Sequence, residues 1–100
     1  MGNKPFTVMI AGVTKPGMED YVRDFLITLM NESKDEPGCI IYHIHESTHN
    51  PGEFMLYTVW ENKAAFDKHN ETPRMQEFKK QLSHNMFDHE SPKTYWEILS

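Results

Sequence analysis

One hundred residues leave room for one domain, spanning 1–100, because domains usually run to about 100–200 residues. Hydrophobic residues make up 38% and charged residues 25%, a balance that excludes a disordered chain. Ten Lys and Arg against 15 Asp and Glu give a formal charge of -5 with no basic block, so the footprint of a nucleic-acid binder is missing.

Phe6 to Val13 is β-rich and apolar, as a buried strand would be, and Lys15-Pro16-Gly17 breaks it. From Met18 the period changes. Met18, Val22, Phe25, Leu26, Leu29 and Met30 fall at steps of three and four on one helical face, with Glu19 and Asp20 in the first turn. Pro37-Gly38 ends that segment.

Cys39 to Glu46 reads as a second strand, with Ile40, Tyr42 and Ile44 on one side and Cys39, Ile41, His43 and His45 on the other. The turn cluster Thr48 to Gly52 leads into a third strand, Phe54 to Glu61, antiparallel to the second. Phe54, Leu56, Thr58 and Trp60 share one face; Met55, Tyr57 and Val59 share the other. Both faces are apolar. A single layer of helices covers one of them, so the other calls for a partner subunit.

Asn62 suits the N-cap of a short helix through His69. Thr72-Pro73 restarts a helix, with Met75, Phe78, Leu82 and Met86 as its apolar stripe. His89 to Pro92 reads as a loop and Thr94 to Leu99 as a last strand. The order β-α-β-β-α-β predicts an α+β, ferredoxin-like split βαβ domain: a four-stranded antiparallel sheet with helices on one face. Such a fold hosts many activities and decides none of them.

Several chemistries find little support. One cysteine, Cys39, excludes an internal disulfide and reads as a small buried residue. His43 and His45 share a strand face with His49 nearby, but nothing in the spacing supplies a third ligand, so no metal site is assigned. Residues 1–6 carry no signal-peptide core and no apolar run nears the roughly 20 residues of a membrane span. The expectation is a cytoplasmic protein with no membrane or nucleic-acid partner.

The segment from Trp60 to His69, followed by Thr72-Pro73 and Met75, resembles the signature of the antibiotic biosynthesis monooxygenase family, and its look is nearest to the small quinol-monooxygenase-like members. Lys15-Pro16-Gly17, Glu36-Pro37-Gly38-Cys39 with Tyr42 three residues on, and Asn50-Pro51-Gly52 before Phe54 match in order. The likeness spans about residues 6 to 98.

The resemblance implies a homodimer in which two sheets pack face to face into an α+β barrel, with a pocket in each subunit between sheet and helices. It also implies oxidation of a quinol, phenol or other electron-rich aromatic by molecular oxygen, with no cofactor. A deprotonated phenol or hydroquinone itself reduces oxygen; the protein supplies a dry pocket, a base and stabilisation of the developing oxyanion.

Trp60 and His69 are the catalytic candidates on this resemblance: Trp60 as a flat wall or as core packing, His69 as base or hydrogen-bonding group or as a helix-end histidine. Phe66, Leu56, Tyr42, Phe25 and Phe78 are the candidate substrate-binding residues. Arg74 or Lys80 could neutralise an anion, although a solvated charge is the ordinary role.

The chain also departs from the family. Leu56 stands where some oxygenases place an Asn, Phe66 lacks a tyrosine hydroxyl, and Ile10 stands where the haem-degrading branch has an Asn. These departures keep open a non-catalytic dimeric small-molecule-binding or stress-response module, or an isomerase of a small sugar or lactone.

Overall fold

The first apolar segment forms β1 (Phe6–Thr14), and the period change after it forms α1 (Glu19–Ser33) in a computed structural model that describes residues 4–83 and 86–99. Next come β2 (Cys39–Glu46), β3 (Glu53–Trp60), α2 (Lys63–Asn70), α3 (Pro73–Ser83), β4 (Phe87–Glu90) and β5 (Thr94–Glu97). The expectations for residues 1–3 and for the Leu82 side chain lie outside what is described.

Helix starts follow local chemistry. Asn62 caps α2 by accepting the Ala65 N–H at 2.9 Å, which satisfies a donor the helix leaves free. Thr72 precedes Pro73, and its hydroxyl accepts from the Met75 N–H at 3.3 Å while donating to the His69 carbonyl at 2.8 Å. One residue thus joins the end of α2 to the start of α3.

The sheet runs β2-β3-β1-β4, all antiparallel, and β5 also pairs with β1. This is the α+β ferredoxin-like arrangement. β4 pairs with Gly12–Thr14 and β5 with Phe6–Met9, so the two share one edge of β1 as successive pieces of one lane. Ser91-Pro92-Lys93 separates them, and the Ser91 N–H still donates to the Ala11 carbonyl at 2.8 Å. Pro92 has no N–H to continue the ladder.

Three expectations need correcting here. Phe87–Glu90 is a strand, although His89 to Pro92 reads as loop in the sequence, because the free edge of β1 beyond Ala11 takes it as partner. Met86 lies past the end of α3, although it is buried, 1% exposed, against the core. The last strand stops at Glu97, short of Leu99.

A fourth correction concerns faces. Cys39 pairs with Trp60 and Ile41 with Val59, so two residues of β2 oppose one of β3 at a bulge. The extra residue is Ile40, which is 52% exposed, while Cys39 packs with Tyr42 on the helix side. Strict alternation had placed Cys39 on the opposite side.

The core lies between the helices and one sheet face. Val8, Tyr42, Phe54, Leu56 and Trp60 from the strands meet Val22, Leu26 and Leu29 of α1, Phe66 of α2, and Met75 and Phe78 of α3. The other sheet face carries Thr7, Met9, Ala11, Val13, Ile41, Met55, Tyr57 and Val59, and of these only Val59 is buried. Among the described residues no helix is long and apolar enough to cross a membrane.

Candidate active site

Two residues of α2 turn toward the sheet. Phe66 and His69 lie one helical turn apart and are the buried residues of that helix, His69 being 3% exposed. What lets α2 come this close is Gly38. Its φ is +87°, and a Cβ there would stand 2.5 Å from the Ala65 Cβ. Only glycine takes that conformation readily and leaves that space.

The His69 ring stacks on Trp60 with centroids 4.5 Å apart and planes at 33°, and Tyr42 meets it edge-on at 6.0 Å. Trp60 is fully buried at the end of β3. Its Nε1–H donates to Thr58 Oγ1 at 3.1 Å, and the Thr58 hydroxyl donates to the Val8 carbonyl at 3.1 Å. The indole is therefore fixed, and it fixes the imidazole from behind.

From the opposite side comes Glu36, in the turn between α1 and β2. Both of its carboxylate oxygens stand 3.1 Å from His69 Nδ1. Arg74, in the first turn of α3, holds the same carboxylate through its guanidinium. Glu36 accepts the Nδ1 proton, so the basic lone pair sits on Nε2, which has no hydrogen-bond partner among the described residues.

Burial lowers the His69 pKa below its usual 6.5, and the charges of Arg74 and Lys93 push the same way, against the opposing pull of Glu36. The imidazole is neutral at pH 7, the form a base needs. Two other groups are kept out of acid–base work. Burial holds the Tyr42 phenol well above its ordinary value, and burial with the nearby Glu36 charge pushes the Cys39 thiol up to about 11.

His69 borders a cavity of about 30 Å³ between sheet and helices, together with Tyr42, Leu56, Phe66, Phe78 and Lys93. An apolar void of about 20 Å³ adjoins it, sharing Ile10, Leu56 and Phe78 as walls. Of the residues singled out in the sequence, His69, Phe66, Leu56, Tyr42 and Phe78 are brought together here. Trp60 is not on the cavity wall; it backs His69. Phe25 does not reach the cavity either; it stacks on Phe78 at 5.9 Å and lines a separate groove with Arg74 and Glu77.

Glu36 is the functional residue that sequence reasoning missed, although it lies inside a segment that carried the family resemblance. Arg74 departs from the solvated-charge reading because Glu36 engages it. His43 and His45 stand exposed on the far sheet face, rings 6.2 Å apart, and no cluster of three His, Cys, Asp or Glu able to hold a metal occurs among the described residues.

A pocket between sheet and helices with one oriented histidine invites comparison with known proteins. The profile of the antibiotic biosynthesis monooxygenase family matches residues 5–81. The chain belongs to this family. An uncharacterised protein of Synechocystis is 34% identical over 73 residues, covering 71% of this chain, which spans 50% of that protein's length. A solved protein of Pseudomonas aeruginosa superposes with a TM-score of 0.89 at 21% identity, covering 100% of this chain and 99% of its own. A solved antibiotic biosynthesis monooxygenase gives 0.84 at 20% identity, covering 95% and 99%. At such identities the two structures share the fold, and the family assignment rests on the profile.

Proposed function

We propose that the protein is a cofactor-independent monooxygenase that oxidises a quinol, phenol or other electron-rich aromatic with molecular oxygen, and that it works as a homodimer. The observation that carries this reading is His69, neutral, buried, and oriented by Glu36 so that Nε2 is the free base at the cavity between sheet and helices.

The chemistry balances without a further reductant. His69 Nε2 takes the hydroxyl proton of the bound phenol. The phenolate passes one electron to oxygen, and the phenoxyl radical and superoxide combine at a ring carbon. The peroxide anion takes the proton back from His69, and the hydroperoxide so formed loses water with the hydrogen of that ring carbon, so one oxygen atom stays as a carbonyl and the other leaves as water. Apolar walls exclude bulk water from the charged intermediates.

A specific observation favours a second reading, a binder without turnover. The cavity beside His69 holds about 30 Å³, room for roughly two waters and not for an aromatic ring. Oxygen uptake separates the two. Chelator-treated protein is given a panel of reduced quinones, anthrones and catechols, with autoxidation subtracted. The oxygenase consumes oxygen over many turnovers, and His69→Ala lowers the rate about 100-fold, the usual worth of a positioned base. Uptake no greater than autoxidation across the panel, with ligand-induced quenching of tryptophan fluorescence, would replace the oxygenase with the binder. Conversion of a sugar or lactone under nitrogen would instead favour an isomerase.

A further inference from the structure

If the cavity beside His69 cannot hold a ring, the ring must lie elsewhere. Phe66 and Asn70 line that cavity on one side, and on the other they line an open groove of about 450 Å³. The groove's walls are aromatic. Phe6 stacks with Tyr95 at 5.8 Å, Phe66 lies 5.8 Å from Phe6, and Phe66 meets Tyr95 edge-on at 6.0 Å. Tyr95 is 54% exposed, which leaves part of its ring surface for a planar guest to cover. The Lys63–Asp67 ion pair, 2.9 Å apart, forms a neutral part of the rim.

Lys93 stands beside Phe66, one of the two residues that border both spaces. It lines the inner cavity, and its Nζ lies 5.8 Å from the Phe66 ring centroid. The break in the edge lane at Ser91-Pro92 puts it there, immediately before β5. Glu36 is held by Arg74 and His69 is neutral, whereas Lys93 has no carboxylate partner among the described residues and lies within reach of the positive charge of Lys79. Asn70 adds a buried side-chain oxygen, Oδ1, with no hydrogen-bond partner.

We propose that the groove walled by Phe6, Phe66 and Tyr95 seats the ring of an aromatic ligand, and that Lys93 pairs with an anionic oxygen on that ring, so that the protein selects phenolate-type anions. The inference deepens the proposed function, since it names the group that holds the phenolate once His69 has taken the proton, and it rests on that reading for the chemistry that follows. Its physical basis is complementarity: a half-buried cation beside aromatic walls lacks a counter-charge, and a flat anion supplies it while covering exposed ring surface. Burial and the neighbouring charge of Lys79 both depress the Lys93 pKa, a cost that a bound anion would relieve.

The test uses two non-reacting probes of nearly the same shape, 4-nitrophenolate and neutral 4-nitroanisole, bound to the whole protein at mildly alkaline pH. Wild type is expected to bind the phenolate at least tenfold more tightly than the anisole. Lys93→Met should abolish the preference, and Lys93→Arg should keep it. Tyr95→Ala should weaken both probes alike, by about tenfold. Equal affinity for the two probes in wild type, or a preference that survives in Lys93→Met, would overturn the role of Lys93. Binding of both probes unaffected by Tyr95→Ala would overturn the groove. If the phenolate probe binds as expected while the panel of reduced quinones, anthrones and catechols gives no oxygen uptake above autoxidation, the oxygenase reading fails and the anion site stands.

Discussion

At His69 two influences oppose each other. Burial among Trp60, Tyr42 and Phe66 disfavours the imidazolium, while the Glu36 carboxylate favours it; burial wins and the pKa falls below 6.5. The sign has a consequence for stability. Above pH 6.5 the folded and unfolded chains both hold the ring neutral. Below it the unfolded chain takes up a proton that the folded chain refuses, so stability falls as pH drops from 6.5 toward the lower folded value. Urea titrations across this window should show that loss in wild type and not in His69→Gln. Glu36→Gln removes the opposing influence, so the acid limb of kcat/KM should move further acid and kcat should fall about 10- to 100-fold, as when a second partner of a working histidine is lost. An unmoved limb would mean that Glu36 does not tune the base. His69 and Trp60 were legible because they lie nine residues apart in a chain-local signature. Glu36 was not, because its bonds to His69 and Arg74 span 33 and 38 residues, and a charged side chain beside Pro37 looks like a turn facing water.

At the scale of elements, the site depends on how closely α2 approaches the start of β2. Gly17 provides the comparison that isolates this. Its φ is +90°, close to the +87° of Gly38, but a Cβ at Gly17 would meet nothing within 4 Å. Alanine at either position carries the left-handed backbone penalty, about 1 kcal/mol. Gly38→Ala also drives a methyl into Ala65, and overpacking of this kind adds about 1–3 kcal/mol. The expected outcome is a clear fall in the urea midpoint for Gly17→Ala and a larger one for Gly38→Ala, with oxygen uptake lost only in the second as His69 shifts with its helix. Equal midpoints would show that α2 can yield. Periodicity gave the three helices and the strand faces, since helix and strand leave different spacings of apolar residues. The bulge at Ile40 and the strand Phe87–Glu90 escaped it. A bulge adds one residue without changing composition, and Asp88, His89 and Glu90 carry no strand pattern of their own; they pair because the edge of β1 is free.

For the whole molecule, the unresolved balance is the sheet's second face. Met9, Val13, Ile41, Met55 and Tyr57 stay only partly buried there, although the same strands bury Val8, Tyr42, Phe54, Leu56 and Trp60 on their helix side. The sequence signalled this through a third strand apolar on both faces, but a chain-local pattern says nothing of what covers the second one. A chain of 100 residues buries only about 60–70% of its unfolded surface, so association through this face would add to a modest core. A face-to-face pair of sheets would bury on the order of 800 Å² per subunit, the usual size of a stable interface. Tyr57 sits on β3, near the centre of the face, with Met9 of β1 and His43 of β2 as its cross-strand neighbours. A carboxylate there would have to be desolvated on pairing, with an identical charge approaching from the other subunit. Sedimentation at micromolar concentration should therefore show wild type at about twice the 11.8 kDa chain mass and Tyr57→Glu at the chain mass, with an unchanged far-ultraviolet dichroism spectrum. A wild-type protein that sediments as a single chain would remove the dimer while leaving the His69 site, which draws all its described partners from one subunit, in place.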